Sequence, residues 1–205
     1  MEKRGGIIQG RPARWKTVSI DIRGIGTTFI FEKNCKIENL SIIDYGGKNT
    51  VIIGENSSLS GLIKIGRGCT LTIGRNFTAT AALKLHLSET RNITIGDDCM
   101  FGININIYNH DYHPIFSIED GSRQNHSLDV EIKNKVWLAN NVTVLKGVTV
   151  EEGSVVGLGS LVISDVPKNS IAAGSPARVI KSGITWDRAS LNTSHPDGIA
   201  NQDEL

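Results

Sequence analysis

Five histidines supply most of the side-chain chemistry that titrates near neutral pH, and four of them, His86, His110, His113 and His126, fall in the middle of the chain. An imidazole changes charge near pH 6.5, which suits it to proton transfer. His113 occupies a special place: counting in sixes from Ile95 through Phe101 and Ile107, the next slot is His113. It reads either as a general base or as a loop histidine bonded to backbone. His110 and His113, with His86 or His126, are also conceivable metal ligands. No carboxylate or cysteine completes a recognisable ligand spacing, so no metal is expected. Seryl covalent catalysis is disfavoured because no Gly-x-Ser-x-Gly elbow is present. Cys35, Cys69 and Cys99 are 34 and 30 residues apart, which matches no ligand motif and points to buried thiols in a reducing compartment.

Such groups need a frame. The chain has 205 residues and 22.2 kDa, enough for one domain without staples. Its net charge of +1 implies no general attraction to nucleic acid or anionic membrane. No apolar run reaches the roughly 18 residues of a membrane span, and no signal-peptide apolar stretch follows Met1–Gly6, so a cytoplasmic chain is expected. Only eleven residues are aromatic, against twenty-seven Ile and twenty-two Gly. That balance favours strands and turns over helices.

The frame is periodic. Ile132, Leu138, Val144, Val150, Val156 and Val162 are six apart, and four residues after the first five stand Val136, Val142, Val148, Ser154 and Ser160. The register recurs at Ile95, Phe101, Ile107 and at Ile53, Leu59, Ile65, and each cysteine falls on its small-residue position. Neither a helix nor a single strand has a period of six. Short strands joined by tight corners do, with three units of six closing an 18-residue coil whose neighbours pair as parallel strands. The expected fold is an all-β parallel β-helix of hexapeptide repeats. Residues 51–183 form the helix, 1–50 irregular first coils or a cap, and 184–205 a tail in which Trp186 folds back on the coils. The sixes fail twice: the step from Ile73 to Ile95 is twenty-two, and residues 114–131 are polar and turn-forming. An excursion of about 18 residues from a compact solenoid calls for a functional role.

The segments Ile95–Asn104, His113-Pro114, Val136-Trp137-Leu138-Ala139-Asn140 and Ala172–Lys181 resemble the hexapeptide-repeat acyltransferases. The loop Asp111–His126 is most similar to that of the O-acetyltransferases of bacterial capsular polysaccharide, including polysialic acid, and Ile184–Arg188 resembles the same group. The resemblance implies a left-handed β-helix that binds acetyl-CoA as acyl donor. It implies His113 as catalytic base, with Asp111 a candidate to orient its ring. Trp137 would line the pantetheine channel, with Ala139, Asn140, Leu158 and Ser164 contacting the cofactor and Arg178 and Lys181 near its phosphates. Tyr112 and Arg123, in the loop, would face the acceptor. It further implies a homotrimer with sites between subunits.

Two departures narrow the acceptor. In the segment Ile73–Ala82, Thr80 stands where the galactoside enzymes carry an asparagine, which argues against a small galactoside-like acceptor. Ala139 replaces the usual glycine after the tryptophan motif. The leading expectation is acetyl transfer to a hydroxyl of a surface polysaccharide, by direct attack in a ternary complex. A sugar-nucleotide N-acetyltransferase is the alternative within the class. A metal-dependent hydrase of carbonic-anhydrase type and a non-catalytic structural trimer are the alternatives outside it.

Overall fold

The structure, a computed structural model, describes residues 5–189. It shows twenty strands and, among the described residues, no helix. Three faces wind around one apolar core as a left-handed parallel β-helix. The first face stacks Gly5–Gln9, Ile25–Phe31, Thr50–Ile53, Thr70–Ile73, Ile93–Ile95, Val130–Ile132 and Thr149–Val150. The second runs from the start of Ser58–Ile65 through Thr78–Ala81, Met100–Ile103, Trp137–Leu138 and Val155–Val156 to Ser170–Gly174. The third carries Leu83–Leu87, Asn106–Tyr108, Thr143–Val144 and Leu161–Val162. Ala177–Ser182 folds back antiparallel on Ser170–Gly174 and closes the C-terminal end of the second face.

Phe31, Ile53, Ile73, Ile95, Ile132 and Val150 stand in one register column, so successive coils take 22, 20, 22, 37 and 18 residues. The expected 18-residue coil therefore describes only the C-terminal part. The step of twenty-two after Ile73, which looks like a break in the sequence, is one complete coil. Residues 1–50 contribute Gly5–Gln9, Arg14–Ile22, Ile25–Phe31 and Lys36–Asp44 to the same stacks. Arg14–Ile22, Lys36–Asp44 and Ser58–Ile65 are long because each turns the edge between the second and third faces without breaking. Gly61 makes that turn at φ +133, where a Cβ would meet the Leu83 carbonyl oxygen at 2.0 Å.

Large apolar side chains fill the core: Phe29, Phe77, Phe101, Leu138 and Val144 are 0% exposed, Phe77 from the position where the repeat expects a small residue. Phe77 and Phe101 pack edge to face, centroids 4.9 Å apart. All three cysteines are buried and unpaired, and burial pushes the Cys99 thiol up to about 12. Elsewhere the coils turn on left-handed residues. Asn34, Asn56, Asn76 and Asp98 all have positive φ and link side chain to side chain up one edge at 3.1, 3.3 and 2.9 Å. No described helix is long and apolar enough to cross a membrane.

Candidate active site

The long coil leaves the prism where the third face meets the first. Buried Asn109 plugs that exit: its Oδ1 accepts from Ser88 N–H at 2.9 Å and its Nδ2 donates to the Arg91 carbonyl at 2.9 Å. The chain returns when Leu128 N–H donates to the Asn109 carbonyl, and Val130 has rejoined the first face. The excursion is thus 110–129, not 114–131. A short antiparallel bridge between Phe116 and Arg123 gives it internal order. Its return limb is tied to the preceding coil by Glu89, whose carboxylate takes both terminal nitrogens of Arg123, at 2.6 and 3.0 Å, and the Ser127 hydroxyl at 2.5 Å. Those donors hold the Glu89 carboxyl down at about 2. Arg123, expected to face an acceptor, spends its guanidinium on this anchor.

His113 is exposed at the root of the excursion. Its backbone is held on both sides: its N–H donates to the Asp111 carbonyl at 2.7 Å, and its carbonyl accepts from Asn125 Nδ2 at 2.9 Å. Among the described residues, no hydrogen bond engages its ring. Among the described residues, Asp111, suggested as an orienting partner, makes no hydrogen bond to that ring. Its carboxylate instead pairs with Lys146 of the next coil and accepts from Asn125 Nδ2 at 2.9 Å.

Beside His113 the structure gathers Tyr112, expected at the acceptor, with His86 and His110, weighed only as metal ligands, and with Tyr108, which the sequence did not single out. Tyr112, 56% exposed and at φ 63, bonds its hydroxyl to Nδ1 of His86. His86 stacks on Tyr108 with centroids 4.5 Å apart, and its Nε2 is buried with no hydrogen-bond partner among the described residues. Burial, then the nearby charges of Lys64, His110 and Lys84, depress the His86 imidazole to about 4, so it is neutral at pH 7. The register signal was available: Lys64, His86 and Tyr108 form one column. His110 accepts from Tyr112 N–H through Nδ1 at 3.0 Å, and burial lowers its pKa as well. Among the described residues, no three His, Cys, Asp or Glu side chains are grouped to hold a metal.

The residues expected at the cofactor fall elsewhere. Trp137 lies on the second face, in register with Val155, Ile171 and Lys181. Arg178, exposed on the same terminal strand as Lys181, pairs with Ala173 across the hairpin and turns its guanidinium onto the Ala177 carbonyl at 2.8 Å. Trp186 is buried against this region, its ring 6.0 Å from that of Trp137 and its Nε1 donating to the Lys135 carbonyl at 2.9 Å. The part of the tail from 190 onward lies outside the described residues. Asn140 and Leu158 stack on the edge between second and third faces, one coil apart, as the register of Leu138 on Val156 requires. Asn140 Oδ1 accepts from Ile103 N–H at 2.8 Å, Ala139 N–H donates to the Val156 carbonyl at 2.9 Å, and Leu158 is 70% exposed. Ser164, exposed, sits one coil above Lys146 on the excursion's edge, given the register of Val144 on Val162. On a single chain, Trp137, Arg178 and Lys181 therefore lie on the second face and its terminal hairpin, and His113 and Ser164 on the edge where the third face meets the first. The chain does not join the two groups.

No protein-family model matches the chain. It is 34% identical over 180 residues to a polysialic acid O-acetyltransferase of Neisseria meningitidis, a match covering 87% of this chain and 83% of that one. It is 41% identical over 138 residues, 67% of its length, to a polysialic acid O-acetyltransferase of Escherichia coli O1:K1 / APEC. That match spans 45% of the relative, so the chain covers under half of its length. Among solved structures, the polySia-specific acetyltransferase NeuO superposes with a TM-score of 0.81 at 32% identity, over 91% of this chain and 84% of that one. A galactoside acetyltransferase in complex with coenzyme A superposes with a TM-score of 0.50 at 29% identity, over 66% and 64%.

Proposed function

The chain belongs to the family of hexapeptide-repeat acetyltransferases that includes the polysialic acid O-acetyltransferases, and we propose on that premise that it transfers acetyl from acetyl-CoA to a hydroxyl of an acidic surface polysaccharide. His113 takes the hydroxyl proton as the oxygen attacks the thioester carbonyl carbon. The tetrahedral intermediate, its oxyanion met by backbone N–H groups, then expels the coenzyme thiolate. That thiolate takes the proton from the imidazolium, which returns His113 to its starting state. The observation that carries this reading is the availability of the His113 ring. It is exposed, on a backbone tied at both sides, with no hydrogen bond to its nitrogens among the described residues.

Trp137 lies along the pantetheine arm in this reading, with Lys181 and Arg178 toward the nucleotide phosphates. The separation of this face from the His113 edge favours a homotrimer, in which one chain supplies the base and its neighbour the donor groove. A cytoplasmic location follows from the donor and accords with three unpaired, buried thiols.

The testing experiment measures thiol release from acetyl-CoA in the presence of polysialic acid, other capsular glycans and amino-sugar nucleotides. Turnover with an acidic polymer is expected. Turnover with the amino-sugar nucleotides alone would move the enzyme to N-acetylation.

A further inference from the structure

Two side chains of the excursion, Asn125 and Ser127, are buried, whereas the rest of it is exposed or half-buried. Burying an amide is costly unless its polar atoms find partners. Those of Asn125 find three. Nδ2 donates to Asp111 Oδ2 and to the His113 carbonyl, each at 2.9 Å, and Oδ1 accepts from Ile115 N–H at 2.7 Å. Both amide hydrogens and one oxygen lone pair are thus spent on residues 111, 113 and 115, the alternate positions centred on one imidazole. Asp111 is itself fixed by Lys146 on the next coil, so the grip reaches the rigid solenoid.

The loop's other anchor works elsewhere. Glu89 holds Arg123 and Ser127 on the return limb and makes no hydrogen bond to residues 111–115 among the described residues. Backbone bonds also join the two limbs, Gln124 N–H to the Ile115 carbonyl and Leu128 N–H to the Asn109 carbonyl. Among the described residues, the Asn125 amide is the side chain of the return limb that bonds residues 111, 113 and 115.

We infer that Asn125 is a positioning residue: its side-chain amide fixes the backbone from which His113 projects and so aims the imidazole. The inference rests on the reading of His113 as the base. A reacting group displaced by about 1 Å loses on the order of a hundredfold in rate, so a clamp at this place should register in turnover.

The test uses the full-length chain and acetyl transfer from acetyl-CoA to polysialic acid, with Asn125→Ala, Asn125→Asp and His113→Ala singly and in combination. Asn125→Asp keeps size and the acceptor for Ile115 N–H, removes both donors and sets a second carboxylate against Asp111. It carries the measurement if Asn125→Ala does not fold. Each Asn125 variant should lower kcat by about ten- to a hundredfold and leave KM for acetyl-CoA within about twofold. On the His113→Ala background the same changes should alter the residual kcat by less than about twofold, because no imidazole remains to be aimed. Equal losses on both backgrounds, or native kcat in the single variants, would overturn the inference. Native kcat in His113→Ala would instead remove the base itself, and this inference with it.

Discussion

Trp137 and Lys181 stand in one register column of the second face, separated only by Val155 and Ile171. Neighbouring strands are about 4.8 Å apart, so residues 137 and 181 stand about 14 Å apart along this face. An extended arm with phosphate at one end and a reacting thioester at the other suits such a column. Trp137→Ala and Lys181→Ala should each raise KM for acetyl-CoA by about tenfold, with KM for the acceptor within about twofold. Steady-state kinetics with each substrate varied in turn checks this, and a matching rise for the acceptor would reverse the direction assigned to the column.

Because His113 and Trp137 lie on separate parts of one chain, each site should draw on two chains. Sedimentation or light scattering should give about 67 kDa, three times the 22.2 kDa chain. More tellingly, at acetyl-CoA well below KM, where His113→Ala and Trp137→Ala alone should keep about a hundredth and about a tenth of the native rate, the co-expressed chains should recover about a quarter of it. That is the share of interfaces that receive an intact residue from each side. No recovery in mixed oligomers would mean that one chain builds the site alone.

The neutral, buried His86 makes stability depend on pH. Its folded pKa, about 4, lies below the unfolded value near 6.5, so the unfolded chain takes up the proton first as pH falls. The stabilisation is full above about pH 6.5 and is lost toward pH 4. Glu89, depressed to about 2, extends the loss below pH 4.5 in the same direction. The melting temperature should therefore be level above pH 7 and fall steadily below 6.5. His86→Gln should flatten the upper part of that fall, and an unchanged slope would place the titrating group elsewhere.

The Arg123–Glu89 pair is half exposed, so its contribution to stability is modest, about 1 kcal/mol or less. Its larger effect should be local. Arg123→Ala should leave the melting temperature within a few degrees of native, by the usual scale for that energy. It should also speed proteolytic cutting within residues 114–126, as a less firmly anchored loop opens more often. Limited proteolysis followed by mass spectrometry reads this directly.

The C-terminal coils were legible in the sequence because 18 divides into three sixes: the column Leu138 to Val156 and its neighbour Val144 to Val162 keep strict period. The N-terminal coils were not, because 20- to 22-residue coils shift the phase at every turn. The extra residues vanish into strands that round an edge, at the irregularity between Ile37 and Leu40 and at Gly61. His113 stood out in the sequence as a histidine where the count of six calls for an aliphatic residue. The contacts around its loop were hidden: Glu89 meets Arg123 across 34 positions and His86 meets Tyr112 across 26, with no local pattern linking either pair. The partner of the Asp111 carboxylate was hidden too, because Lys146 lies 35 residues away.

Single-turnover acetyl transfer to polysialic acid in His113→Ala tests most directly whether His113 is the proton acceptor. General-base assistance is worth about 10² to 10⁴ in rate, so the variant should lose at least about a hundredfold in the transfer step. It should still bind acetyl-CoA with near-native affinity by calorimetry, with His110→Ala as a control that keeps most of the rate. A His113→Ala protein that transfers acetyl within about threefold of native, set against the hundredfold expected of a lost base, would contradict the mechanism.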